Sequence, residues 1–310
     1  MGHGHHHAHD HAPGHAHAPA SFGHAFAIGI TLNFLFVCVE ATYGIIAHSI
    51  ALVADAGHNL GDVFGLLLAW GATILARRVP TERRTYGFRR SSILASLLNA
   101  TLLLVAVGAI AWEAFGRLQR PEPVAIQTVI RVALVGIVIN TLTALLFMRG
   151  RKHDLNIRGA FLHMAADAAV ALGVVIAGLV IATTGWLWLD PLVSIAIAIV
   201  ITIGTWGLLR QSFNLAMDAV PEGIDRVAVE EYLRQVPSVI EVHDLHIWGM
   251  STTENALTAH LVMPGNEPPD AFLARLRHDL EHQFGIGHVT IQVEHGDEAH
   301  PCVQAPDHVV

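Results

Sequence analysis

The sequence predicts an α-helical membrane protein of six transmembrane helices followed by a C-terminal α+β domain. Three observations carry that expectation. Of 310 residues, 53% are hydrophobic and 14% charged, with a mean hydropathy of +0.48; soluble chains carry roughly 25% charged residues. Six segments are long and apolar enough to span a bilayer, which takes about 20 residues per helix. After Arg210 the pattern turns amphipathic.

The spans fall at 23–46, 50–76, 91–116, 124–148, 157–183 and 190–209, separated by short polar turns such as Ala47-His48-Ser49 and Thr184-Gly185-Trp186. Lys and Arg accumulate on the cytoplasmic side of a membrane, and here they sort by loop. The loop after the second span holds Arg77, Arg78, Arg83, Arg84, Arg89 and Arg90; the loop after the fourth holds Arg149, Arg151, Lys152 and Arg158. The first-to-second and fifth-to-sixth connections hold none, and the latter carries Trp186 and Trp188, a residue type enriched at the membrane interface. The third-to-fourth connection, with Arg117, Arg120 and Glu122, is a mild exception. Both termini are therefore expected in the cytoplasm.

Beyond the spans, residues 222–236 read as an amphipathic helix opening after Pro221, and 269–284 as a second. Residues 239–248, 256–263 and 289–294 alternate like strands. This α-β-β-α-β order predicts a small domain with helices on one face of a sheet. Such a sheet buries a limited core, so dimerisation through it is expected. The bounds that follow are 1–22 for a disordered His-rich tract, 23–209 for the transmembrane domain, 210–296 for the C-terminal domain and 297–310 for a tail.

Nine of the 22 histidines lie in the first 24 residues: His3, His5, His6, His7, His9, His11, His15, His17 and His24. Interleaved Gly, Ala, Asp and Pro distinguish this tract from a purification tag, and it lacks the basic region and cleavage site of a signal peptide. Low-complexity His runs build no core but bind borderline metals weakly, which makes His3, His5, His6, His7, His9 and His11 candidates for metal capture. The two cysteines, Cys38 in an apolar stretch and Cys302 in the tail, cannot make a disulfide framework. The net charge of −8 gives no sign of a nucleic-acid partner, because the basic residues cluster in membrane loops.

Charges inside spans are expensive: an Asp at mid-bilayer costs about 2.5–3.5 kcal/mol on insertion scales. Two spans nevertheless carry the same motif. The second contains His58-Asn-Leu-Gly-Asp62, the fifth His163-Met-Ala-Ala-Asp167. A four-residue spacing puts each pair on one helix face. At about 1.5 Å per residue, His58 and Asp62 lie roughly 14 and 20 Å from the outer edge. His163 and Asp167, on an antiparallel helix, lie roughly 20 and 13 Å from it in a core about 30 Å thick. The two pairs therefore meet at one depth. Two imidazoles and two carboxylates suit tetrahedral Zn²⁺ and lack the oxygens that Ca²⁺ and Mg²⁺ require, with Cd²⁺ and Co²⁺ as secondary cargos. The carboxylates neutralise a divalent ion, and the same groups take up protons once it leaves. Competition of H⁺ with Zn²⁺ at one site suffices for antiport. Glu40 and Asp190 read as support for packing or water entry rather than as ligands.

The run from Ser49 to Asp62, Ser-Ile-Ala-Leu-Val-Ala-Asp-Ala-Gly-His-Asn-Leu-Gly-Asp, resembles the second-span signature of the cation diffusion facilitators, most of all their zinc/cadmium/cobalt-resistance branch. The resemblance extends to Arg83-Arg-Thr-Tyr-Gly-Phe-Arg89, Asp190-Pro-Leu-Val-Ser194 and His243-Asp-Leu-His-Ile-Trp248, and covers 23–296. It implies a six-helix transport domain, a metallochaperone-like αββαβ cytoplasmic domain, a homodimer in the inner (plasma) membrane, and export of Zn²⁺ in exchange for H⁺ by alternating access. It implies His58, Asp62, His163 and Asp167 as the transport site, with His58 the mark of preference for Zn²⁺ and Cd²⁺ over Fe²⁺ or Mn²⁺. By the same analogy His243, His260 and Glu294 ligate regulatory zinc between protomers, with His246, His288 and His295 nearby. Strand alternation puts His243 and His246 on opposite faces, so that local pair does not share a metal. Some relatives bind a further metal in the loop after the second span. Here residues 77–90 offer no His and one acid, Glu82, so no site is expected there; its arginines are expected to face lipid headgroups or the dimer partner.

Other readings are a zinc-gated channel or sensor, and a membrane metalloenzyme. No His-Glu-x-x-His motif occurs in the sequence, so an enzyme is not expected. Tight four-ligand binding opposes channel throughput. No prosthetic group is expected, with Zn²⁺ serving as substrate and regulatory ligand.

Overall fold

Apolar runs of this length can satisfy their own backbone in a bilayer as helices, and the chain forms six long ones. The computed structural model describes residues 23–147, 155–265, 270–297, 299 and 301–305. The capture candidates His3, His5, His6, His7, His9 and His11 lie outside the described residues. The helices are α1 (Gly23–Ile46), α2 (Ile50–Ala76), α3 (Ser91–Gln119), α4 (Ile126–Phe147), α5 (Leu155–Thr184) and α6 (Leu189–Ala216). Among the described residues, four of them, α3 to α6, contain stretches long and apolar enough to cross a membrane by length and composition. The protein is a multi-span membrane protein.

Short connections make neighbours antiparallel, and side-chain ties fix the end at which α1 turns into α2. Ser49 caps α2, accepting from Leu52 N–H. Asp190, at the start of α6, accepts from Ser49 Oγ at 2.5 Å and from Ile50 N–H at 2.9 Å, and is 3% exposed. Its role is to hold α2 against α6. Arg117, near the end of α3, pairs with Glu113 at 3.1 Å and Glu122 at 3.6 Å and donates to the His48 carbonyl at 2.6 Å. A guanidinium so neutralised explains why this connection departs from the charge bias of the others.

α2 and α3 approach closely along a glycine stripe. A Cβ at Gly61 would sit 2.7 Å from a methyl of Leu103, and one at Gly65 2.6 Å from the Asn99 amide. Small residues four apart let membrane helices close on each other, and this stripe turns the neighbouring polar face of α2 away from α3. α1, α2, α3, α6, α5 and α4 pack in a ring in that order, and α2 and α5 touch lightly across it.

The C-terminal segment folds as α7 (Arg226–Arg234), β1 (Glu241–Gly249), β2 (Asn255–Val262), α8 (Asp270–Phe284) and β3 (His288–Glu294). Asp225, rather than the vicinity of Pro221, starts α7, because its carboxyl caps Val227 and Ala228 N–H. β2 is central, antiparallel to β1 and parallel to β3, with α8 as the crossover. Leu245, Ile247, Leu257, Leu261, Leu276 and Leu280 make an apolar core. α6 continues to Ala216, past the expected end at 209. The junction is tight: Arg90 pairs with Asp218 at 2.5 Å, Arg89 with Glu254 at 2.6 Å, and Ser92 Oγ accepts from Thr252 N–H. Arg89 and Arg90 thus pair with this chain's own C-terminal segment.

Hydrogen bonds to charged groups are worth about 1.5–3 kcal/mol. Asp190→Ala should therefore lower stability by about 2–3 kcal/mol in thermal unfolding in detergent, and Asp190→Asn, which keeps an acceptor, by less. Unfolding unchanged in Asp190→Ala would contradict this role.

Candidate metal centres

A helix places residues four apart on one face, and α2 and α5 each present such a His–Asp pair to the other. His58 Nε2 lies 3.6 Å from Asp62 Oδ2 and 3.9 Å from Asp167 Oδ1. His163 Nε2 lies 3.2 Å from Asp62 Oδ2 and 3.7 Å from Asp167 Oδ2. Tetrahedral Zn²⁺ with bonds of about 2.0–2.1 Å has ligand–ligand edges of about 3.3–3.5 Å. The two edges to Asp62 Oδ2, 3.6 and 3.2 Å, sit near that value; the two to Asp167, 3.9 and 3.7 Å, are longer and run through different oxygens. One donor atom each from His58, Asp62 and His163 lies within 4.8 Å of the other two, and Asp167 meets both imidazoles from beneath. The four residues singled out in the sequence are together, and their donor types suit a divalent cation.

Two further observations bear on this cluster. His58 Nδ1, Asp62 Oδ2 and Asp167 Oδ2 are buried without a hydrogen-bond partner, which is expensive unless something else satisfies them. Exposure is also graded: the side chains of Asp62 and His163 are 33% and 39% exposed, those of His58 and Asp167 24% and 3%. On each helix the more exposed residue is the one nearer the end that carries the C-terminal domain. The centre opens toward that end.

Glu40 and Asp55, 0% and 2% exposed, pair with each other beside the cluster, and Asn59 Nδ2 donates to Glu40 Oε2 at 3.4 Å. They belong to the packing between α1 and α2.

The second cluster is on the C-terminal sheet, on the face away from α7 and α8. His243 of β1 pairs with His260 of β2, their ring centroids 5.3 Å apart. Glu294, at the end of β3, lies 3.4 Å from His243 Nε2 and 3.0 Å from His260 Nδ1. The three residues assigned by analogy therefore converge within one chain. A fourth group joins them that sequence reasoning missed: Cys302 Sγ lies 3.5 Å from His260 Nδ1, and donors of all four residues fall within 4.8 Å of one another. Burial pushes the Glu294 carboxyl up, but hydrogen bonds from Cys302 and Gln292 and the nearby imidazoles outweigh it, and the net shift is down. Burial and the carboxylates of Glu294 and Asp244 push the Cys302 thiol up.

The alternation argument for His246 fails. Asp244 sits at φ 49° in an irregularity that shifts the register between His243 and His246. One extra residue in a strand reverses the alternation beyond it, so His246 returns to the face of His243. It is not part of the cluster, because it turns to Asp244 Oδ1 at 2.8 Å. His288 lies at the opposite end of β3 against Tyr86, about 20 Å of strand away, and His295 is exposed.

Comparison with known proteins agrees with this architecture. Residues 26–215 match the family model for the cation efflux transmembrane domain, and 221–296 that for the cation efflux protein cytoplasmic domain. The chain is 35% identical over 270 residues to the cadmium, cobalt and zinc/H(+)-K(+) antiporter of Bacillus subtilis, covering 86% of each. It is 34% identical over 279 residues to the metal cation efflux system protein CzcD of Cupriavidus metallidurans, covering 90% of this chain and 87% of that protein. It is 35% identical over 281 residues to the zinc transporter ZitB of Escherichia coli, covering 89% of each.

Removing one of four ligands should weaken binding more than the 10–100-fold that loss of an outer partner costs. Asp167→Asn, close in shape but neutral, should lower Zn²⁺ affinity by about 100-fold or more in calorimetric titration of a His260→Ala background. Unchanged affinity would remove Asp167 from the centre.

Proposed function

The chain belongs to the cation diffusion facilitator family, and from that premise we propose that it exports Zn²⁺ from the cytoplasm in exchange for H⁺ by alternating access. It is an integral membrane secondary transporter for metal efflux, not an enzyme. The finer reading rests on one observation above others: two His–Asp pairs on α2 and α5 converge, with imidazole–carboxylate distances of 3.2–3.9 Å. In this reading all six long helices span the inner (plasma) membrane, both termini are cytoplasmic, and the αββαβ domain joins two copies as a homodimer. The names of the relatives support Cd²⁺ and Co²⁺ as further cargos.

The mechanism follows from charge. Asp62 and Asp167 neutralise a divalent ion, and His58 and His163 add neutral nitrogen donors of suitable softness. The centre open toward the C-terminal domain corresponds to the state that loads metal from the cytoplasm. When the opening moves to the other face, protons from that side compete for the same atoms and release the ion. Return with protons bound completes the exchange. His243, His260 and Glu294 bind regulatory zinc, and the His-rich tract captures metal before it enters.

The test is Zn²⁺ uptake into proteoliposomes driven by an imposed pH gradient, acid inside. The wild type accumulates Zn²⁺ and dissipates the gradient; Asp62→Ala and Asp167→Ala do neither. Undiminished flux in either variant contradicts the site. His58→Asp should shift competition among Zn²⁺, Cd²⁺ and Mn²⁺ toward Mn²⁺, since carboxylate oxygens suit the harder ion.

A further inference from the structure

Cys302 lies beyond the family-matched segment, which ends at residue 296, and its surroundings are not those of an idle tail thiol. After β3 the chain turns at Gly296, φ 72°, and crosses the sheet face that α7 and α8 leave uncovered. Among the described residues of this stretch, Cys302 Sγ lies 3.5 Å from His260 Nδ1 and Gln304 Nε2 3.5 Å from Asp244 Oδ2. Beneath them His243 is 8% exposed, and neither of its ring nitrogens makes a hydrogen bond. A buried imidazole whose two nitrogens face the Glu241 and Glu294 carboxylates at 3.3 and 3.4 Å, hydrogen-bonded to neither, is placed to share a cation with them.

We infer that Cys302 supplies a thiolate that completes, with His243, His260 and Glu294, a four-coordinate site for a borderline-soft divalent cation within a single protomer. This rests on the reading of those three residues as a metal-binding set, and it changes what that set does. With three ligands, the open position would be filled by solvent or by a partner chain. With Cys302 the shell is full, and no residue of a second protomer is required. The donor atoms converge: His260 Nδ1 lies 3.0 Å from Glu294 Oε1 and 3.5 Å from Cys302 Sγ, and His243 Nε2 3.4 Å from Glu294 Oε2, against edges of roughly 3.3–3.7 Å in a tetrahedron with one longer bond to sulfur.

The chemistry balances simply. Binding displaces the thiol proton to solvent, the sulfur lone pair forms the bond to the metal, and no electron changes hands. Thiolate and carboxylate together carry two negative charges, so the loaded site is neutral, as is the intramembrane one. The two differ in softness. Replacing a carboxylate by a thiolate favours Zn²⁺ and Cd²⁺ over harder ions and makes this the tighter site. It also makes the hold of Cys302 on the sheet stronger when the ion is bound.

The test uses the full chain in detergent with Cys38→Ser, so that Cys302 is the one thiol. Maleimide labelling of Cys302 is timed with metal stripped and with Zn²⁺ added. Zn²⁺ should slow labelling at least tenfold, and it should do so equally in Asp62→Ala/Asp167→Ala, where the intramembrane centre is gone. Protection should disappear in His260→Ala. With Co²⁺, a sulfur-to-metal charge-transfer band should appear, and Cys302→Ser should abolish it while circular dichroism shows the fold unchanged. Equal labelling rates with and without Zn²⁺, or a Co²⁺ complex without that band, would overturn the role of Cys302. If Co²⁺ still binds through His243 and His260 in that event, the three-residue reading stands without it.

Discussion

Two carboxylates held in an apolar interior need a positive partner, and the rest of this molecule is arranged around that need. Asp62 and Asp167 face His58 and His163 at 3.2–3.9 Å, at a depth where an isolated charge costs about 2.5–3.5 kcal/mol on insertion scales. A divalent cation meets the need in full, and protons meet it in part. In the proposed mechanism, exchange of one for the other requires no separate carrier; it requires that the same four groups be reachable first from one side and then from the other.

The fold supplies that by holding α2 firmly on three sides and loosely on the fourth. Its glycine stripe lies close against α3, its first turn is tied to Asp190 of α6, and α1 packs along it. Toward α5, where the ligands are, contact is slight. Ion pairs from Arg89 and Arg90 to Glu254 and Asp218 join the base of α3 to the C-terminal domain.

Much of this was legible in the sequence because length and period determine it. Bilayer thickness dictates runs of about 20 apolar residues, and α1 and α2 have the expected bounds. The His–Asp pairs were legible because a four-residue spacing on a helix has a single geometric meaning. What stayed hidden depends on long-range contacts or on backbone angles. α6 extends to Ala216 although Arg210 looks like a membrane exit, since a helix need not stop where the membrane does. Asp244, in the left-handed region, reverses the strand alternation and defeated the argument about His246. Cys302 was read for disulfides alone; nothing local in the tail shows that it returns to His260. The pairing of Arg89 and Arg90 within the chain was hidden for the same reason.

Because the account makes protons and zinc rivals for one set of atoms, the most direct measurement is the proton count on binding. Zn²⁺ would be titrated calorimetrically into the His260→Ala/Cys302→Ser protein lacking residues 1–22, in buffers of different ionisation enthalpy, which reports the protons released at the intramembrane centre. The account predicts proton release with each Zn²⁺ bound, with apparent affinity falling as the pH is lowered. Zinc binding at that centre with no proton release and no dependence on pH would contradict it.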